Sequence, residues 1–184
     1  MTEAQHIRLV RQGDQAAWEV LMRMHQEPVF RLAYLLLGDP DEAEDIAQET
    51  FLRAYKALRG FDTERPLRPW LLRIASNLAY NRHRSIGRYL AALTRFTQQE
   101  PDRIKSKTNE PDDESQVLWQ AVRQMAMPFQ EVIYLRYFLD MSENEMAEAL
   151  EVPAGTVKSR LHRALSKLRG IIERDYPELN EIVE

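Results

Sequence analysis

The chain has 184 residues, 44% hydrophobic and 29% charged, with a formal net charge of -4 and no cysteine. That length allows one or two small domains, and the missing thiols exclude disulfides and thiolate metal sites, as expected in a reducing interior. The longest apolar run, 32–37, is far too short to span a bilayer and Met1-Thr2-Glu3 does not begin a secretion signal, so a cytoplasmic chain without stable membrane insertion is expected.

Apolar residues recur at three- and four-residue steps with no alternating strand pattern, which predicts an all-α chain. In chain order, helices are expected over 3–11, 14–37, 40–58 and 67–85, then over 115–126, 129–138, 142–150 and 154–174. Gly38-Asp39-Pro40 breaks the second from the third, and Gly60, Pro66 and Pro69 mark a loop before the fourth. Between Thr94 and Ser115 the pattern fails. Residues such as Gln98, Pro101, Asp102, Asn109 and Pro111 bury too little apolar surface to offset the entropy of ordering them. The expectation is two small helical domains, 1–93 and 115–184, joined by a flexible linker over 94–114.

Charge is sorted along the chain. Asp39, Asp41, Glu42, Glu44, Asp45 and Glu49 meet no Lys or Arg between them. From Arg65 to Gln99 the sign inverts, with Arg65, Arg68, Arg73, Arg82, Arg84, Arg88 and Arg95 and no acid. A second basic cluster, Lys158, Arg160, Arg163, Lys167 and Arg169, follows near the C-terminus. Such segregation suits different partners on different faces, although charged stretches are also ordinary solvated surface.

On the helix over 40–58, Ala43, Ala47, Phe51, Ala54 and Leu58 are placed to form the buried stripe, leaving Asp45, Gln48, Glu49, Leu52, Arg53 and Lys56 outward. Asp41 and Glu42 are explained by the helix dipole, but Asp45 and Glu49 lie beyond the first turn where that effect fades. On the next helix Leu71, Ile74, Ala75 and Leu78 point inward, while Trp70, Arg73, Asn77, Tyr80 and Arg84 share another face. Aromatics among cations suit single-stranded DNA, since bases stack on rings while arginines track phosphates. Trp70 taken alone reads more readily as a core residue than as a stacking platform.

The C-terminal part reads as a helix-turn-helix. Ser142-Glu143-Asn144-Glu145 is a capping box, Met146, Ala147 and Leu150 face inward, and Pro153 suits the first turn of a following helix. Val157, Leu161, Ala164, Leu165 and Leu168 form the apolar stripe of that helix. Lys158, Ser159, His162 and Arg163 lie opposite, with Arg160 at the flank. A recognition helix needs this division, an apolar back and a front of donors for base edges and phosphates. Gly155 allows a phosphate close to the helix start. An amphipathic helix with a merely wet basic face shows the same pattern.

The run from Pro153 to Ala164, with Met127-Pro128, Val132, Leu135, Tyr137, Met141-Ser142 and Glu145-Met146-Ala147 before it, resembles domain four of extracytoplasmic-function (group IV) sigma factors. Asp41 to Tyr55 resembles their domain-two helix that docks on the RNA polymerase clamp. Trp70-Leu71-Leu72-Arg73-Ile74-Ala75-Ser76-Asn77 resembles the helix that opens and reads the start-proximal promoter element. The resemblance implies an alternative sigma factor that binds the polymerase core and reads promoter DNA. Asp45, Gln48, Glu49 and Leu52 would meet the core. The loop from Phe61 to Pro69, with Arg53, Trp70, Arg73, Asn77, Tyr80 and Arg84, would receive melted DNA. Lys158, Ser159, Arg160, His162 and Arg163 would read the upstream element. It further implies contact with the clamp and flap regions, an anti-sigma factor, and a linker that threads the RNA-exit path. Leu67 stands where an aromatic is usual, Pro69 where Ser or Thr is usual and Asn81 where Asp is frequent, so the captured base stays open.

An enzyme is the first rival, but His6, His25, His83 and His162 are scattered without ligand spacing, and no nucleophile elbow or phosphate loop appears. No catalytic residue, cofactor or metal is expected. A helix-turn-helix regulator acting without core polymerase would not need the stacking face of the first domain, and a helical adaptor would leave both basic faces unexplained.

Overall fold

In the computed structural model the described residues are 1–96 and 113–177, with side chains at 1–85 and 117–177. They form helices and turns with no strand among them, in two units, one on each side of the undescribed stretch. Residues 97–112, which hold most of the expected linker, lie outside the described residues, as do 178–184.

The N-terminal unit has four helices, α1 (Glu3–Arg11), α2 (Gln15–Leu37), α3 (Pro40–Ala57) and α4 (Leu67–Phe96), with a 3-10 turn at Leu58–Gly60. Their starts are fixed locally in three cases. Thr2 and Gln5 cap α1 reciprocally, Asp14 accepts from the Ala17 amide at 3.1 Å, and Asp39 accepts from the Glu42 amide at 2.9 Å. The expected break between α2 and α3 is a left-handed Gly38 (φ 78°) whose N–H donates to Tyr34, then the Asp39 cap and Pro40 in the first turn. Helix α2 runs through Pro28, which withholds the N–H that the Met24 carbonyl would accept.

Helix α2 packs against the other three, with Leu21, Val29, Leu32, Ala33 and Leu36 buried. On α3 the buried face is wider than a single stripe because α2 and α4 both cover it. Ala43, Phe51, Ala54 and Leu58 are inside as expected, Ala47 is only half-buried, and Ile46 and Thr50 are inside with them. The Thr50 hydroxyl stays satisfied by donating to the Ile46 carbonyl at 2.7 Å. On α4, Leu71, Ala75 and Leu78 are buried, Ile74 is half-buried, and Leu72, Ser76 and Ala79 join the core. The helix continues to Phe96 instead of stopping near 85. Gly87 weakens a helix interior by about 1 kcal/mol but does not terminate it.

The C-terminal unit has α5 (Asp113–Arg123), α6 (Met127–Ile133), α7 (Glu143–Leu150) and α8 (Ala154–Asp175). Helix α8 packs against the other three, and Val132, Leu135, Met141, Met146, Val157 and Ala164 are fully buried. The single helix expected over 129–138 is corrected in two respects. Helix α6 starts at Met127 because Pro128 fits a first turn, and from Tyr134 to Phe138 the coil widens into a π turn. Leu139 N–H reaches back five residues to the Tyr134 carbonyl at 3.1 Å. Phe138 lies beside Trp119 and Tyr134, with ring centroids at 4.9 and 5.8 Å, while Tyr137 is exposed. The Gln130 amide donates to the carbonyls of Arg123 and Met125 and so closes the end of α5. Burial pushes the Tyr134 hydroxyl up to about 12.

Candidate nucleic-acid and partner interfaces

The first surface is a groove between α3 and α4. Its lining includes Asp45, Gln48, Glu49 and Leu52, the residues expected to meet the polymerase core, along with Arg53, Leu78, Asn81 and Arg82. Leu52 is 50% exposed although it lies among charges, an apolar point on an otherwise polar wall. Arg53 pairs with Glu49 one turn earlier at 2.6 Å. From the opposite wall Arg82 reaches Glu42 at 2.9 Å and Asp45 at 3.9 Å. The acids of α3 are therefore partly neutralised by their own unit, and exposed pairs of this kind are worth about 0–1 kcal/mol each. A docking partner can exchange such pairs at little cost.

The second surface is the face of α4 that carries Trp70, Arg73, Asn77, Tyr80 and Arg84 at helical spacing. Asn77 and Arg84 are exposed, and Trp70, Arg73 and Tyr80 are half-buried. Two of the expected residues lie apart from the exposed part of this face. Phe61 is 8% exposed, its ring packed on Trp70 with centroids 4.8 Å apart, so it backs the indole from inside and is not open for stacking. Arg53 lines the groove with the acids, about a third of a turn round α4 from the Trp70 face. The loop before α4 is itself ordered: Arg65 N–H donates to the Asp62 carbonyl at 3.1 Å and Glu64 N–H to Asp62 Oδ1 at 3.0 Å.

The third surface is α8 with the turn before it. The capping box forms as expected, with Glu145 N–H donating to Ser142 Oγ at 3.3 Å and Ser142 N–H to Glu145 Oε2 at 2.8 Å. The turn closes through Glu151 in the left-handed region (φ 52°), and Val152 N–H donates to the Ala147 carbonyl at 3.1 Å. Lys158, Ser159, His162 and Arg163 are exposed together, Arg160 is half-buried, and Val157, Leu161 and Ala164 are buried behind them. Leu165, placed on the apolar stripe by its spacing, is 39% exposed. Arg163 Nε donates to the Ser159 carbonyl at 3.3 Å and Ser159 Oγ to Thr156 at 3.0 Å, holding both side chains against the helix. A Cβ on Gly155 would meet nothing within 4 Å, so the start of α8 is open to an approaching group.

Among the described residues there is no cluster of three or more His, Asp or Glu able to hold a metal, and no helix long and apolar enough to cross a membrane.

Two family models match the chain, Sigma-70 region 2 over residues 21–89 and Sigma-70, region 4 over residues 115–168. The ECF RNA polymerase sigma factor SigW of Bacillus subtilis is 36% identical over 173 residues, covering 89% of this chain and 92% of its own. The chain belongs to the extracytoplasmic-function sigma factors. Its fold is theirs as well. The structure of CnrH in complex with the cytosolic domain of CnrY superposes with a TM-score of 0.70 at 24% identity, covering 94% of this chain and 98% of that one. The sigma factor RpoE from Bartonella quintana, solved with the anti-sigma factor NepR, gives 0.66 at 23% identity, covering 85% and 97%. Within this sigma factor the region 2 match spans the groove and the Trp70 face, and the region 4 match spans the helix-turn-helix. A regulator that acts without the polymerase is not favoured, because region 2 would have no place in it.

Proposed function

We propose that this sigma factor acts in the cytoplasm, without catalysis of its own, by joining the RNA polymerase core and directing it to a dedicated set of promoters. One observation carries the reading: region 2 and region 4 lie in one chain, each with its own exposed surface of the matching chemistry. The domains run over 1–93 and 115–184. Asp45, Gln48, Glu49 and Leu52 meet a basic helical element of the clamp. Arg53 and Arg82 release their partners as the clamp's cations take over, and Leu52 adds an apolar contact. The C-terminal unit meets the flap.

Promoter recognition divides between the other two surfaces. Lys158, Ser159, Arg160, His162 and Arg163 enter the major groove of the upstream element, with arginine and lysine suited to guanine or phosphate. The Trp70 face holds the strand that has come apart: the indole offers a stacking platform stiffened by Phe61, and Arg73, Asn77, Tyr80 and Arg84 supply donors along the backbone. An anti-sigma protein restrains the factor by covering these surfaces until a signal removes it.

The test is transcription with purified core polymerase from a promoter mapped by sequencing RNA 5′ ends after overexpression of the chain. Start-site-specific transcript that requires both core and this protein is the expected result. Binding to duplex DNA without core, and no transcript with it, would overturn the reading.

A further inference from the structure

Helix α1 sends two of its polar side chains, Glu3 and Arg11, to a single stretch of the N-terminal unit. At one end Arg11 Nε donates to the Leu58 carbonyl at 3.1 Å, and its Nη2 donates to the carbonyl of Phe61. At the other end Glu3 Oε2 accepts from the backbone N–H of Leu67 at 2.9 Å. Glu3 Oε1 accepts from His25 Nε2 on α2, also at 2.9 Å, which fixes the carboxylate in place. Ile7 and Val10, between the two ends, are buried. One helix therefore holds both ends of segment 58–67, whose middle closes on itself through Asp62.

The need for an outside hand is visible at Leu67. The first amides of a helix have no partner within it, and Leu67, the first residue of α4, is fully buried, so its N–H takes an acceptor from elsewhere in the fold. Glu3 supplies both the acceptor and a negative charge at the positive end of α4. Arg11 does the converse at the other end. Its forked guanidinium bridges two carbonyls, which a lysine ammonium on its single stem does less well. Trp70 lies one turn beyond the amide that Glu3 holds, and Phe61, whose carbonyl Arg11 holds, backs the indole.

We propose that Glu3 and Arg11 are positioning residues for promoter opening, presetting segment 58–67 and the Trp70 face to capture an unstacked base. This rests on the role proposed above for the Trp70 face. Both residues precede the region 2 match, which begins at residue 21. Without the clasp the loop samples other conformations, so a smaller fraction of the factor is ready to hold a base in the short time a duplex breathes open, and opening slows.

The experiment compares Arg11→Met, Arg11→Lys and Glu3→Gln with the wild-type chain in holoenzyme, on the mapped promoter as duplex and as a pre-melted bubble. Asn77→Ala serves as a direct-contact control. Duplex transcription should fall roughly five- to tenfold for Arg11→Met, as expected for losing one cap-sized interaction, with Arg11→Lys and Glu3→Gln intermediate. Bubble transcription and core affinity should stay within about twofold of wild type, since opening no longer limits the rate. Wild-type duplex activity in all three variants, with Asn77→Ala impaired, overturns the proposal alone. Equal losses on duplex and bubble show a folding role only and also overturn it. Wild-type behaviour of Asn77→Ala removes the reading of the Trp70 face, and the proposal falls with it.

Discussion

Helices α4 and α8 both present cationic faces, yet they are set in place by opposite means. The helix-turn-helix that carries α8 is organised within a few residues: Ser142 and Glu145 cap each other, Glu151 makes the turn, and Pro153 opens the next helix. Helix α4 starts after Pro66, and its first amide takes an acceptor from Glu3, 64 residues earlier. The first arrangement is written in short-range sequence. The second exists only once the N-terminal unit has folded.

The largest expected effect separates the units. Val157 is fully buried, and Val157→Asp strands an unpaired charge there at a cost of more than about 4 kcal/mol. The C-terminal unit should lose its fold while amide resonances of residues 1–85 keep their positions in two-dimensional NMR spectra. Collapse of both sets would break the picture of separate units.

A smaller effect sharpens the functional side of the contrast. Arg163→Ala should weaken holoenzyme binding to duplex upstream DNA by about 1–3 kcal/mol, read by fluorescence anisotropy, if the guanidinium reaches a base. Binding of a single-stranded start-proximal oligonucleotide should be unchanged. Loss on both substrates would mean that the two surfaces do not divide the work.

Next come the caps themselves. Ser142→Ala should cost about 1 kcal/mol in the thermal unfolding of the C-terminal unit, since the local box has no substitute nearby. The tertiary cap responds instead to acid. The hydrogen bond from His25 holds the Glu3 carboxyl below its ordinary 4.5, against the opposing pull of burial and with help from the Leu67 amide. A carboxyl depressed in the fold contributes its full stability above pH 4.5 and loses it as pH falls through the folded value. Acid unfolding of the N-terminal unit should therefore steepen below about pH 4.5, and Glu3→Gln should flatten that limb. An unchanged acid limb would show that the carboxylate does not hold α4.

What the sequence disclosed follows the same division. The capping box, the Gly38-Asp39-Pro40 break and the backing of α8 by Val157, Leu161 and Ala164 depend on neighbours a turn away, and periodicity suffices for them. The exposed cationic face of α8 and the acid cluster on α3 were legible for that reason. The packing of Phe61 on Trp70 was not legible, because an aromatic in a loop carries no sign of the indole that will cover it. Ile46 and Thr50 were missed because a second packed helix widens a buried face in a way that one stripe does not show. The π turn at Tyr134–Phe138 follows strong apolar spacing that reads as continuous α-helix. Glu3 and Arg11 gave only one signal, a proline before α4 with no cap to its left. That gap asks for an acceptor without saying where in the chain it lies.

The Glu3 and Arg11 contacts also bear on how the chain can be recombined. Residues 142–175 carry the capping box and the turn between α7 and α8 within themselves, so with α5 and α6, on which α8 packs, they can be moved as one piece. A graft that moved only segment 58–85 would leave behind the two side chains that hold its beginning. An exchange of that segment into or out of this chain must therefore bring Glu3 and Arg11 along with it.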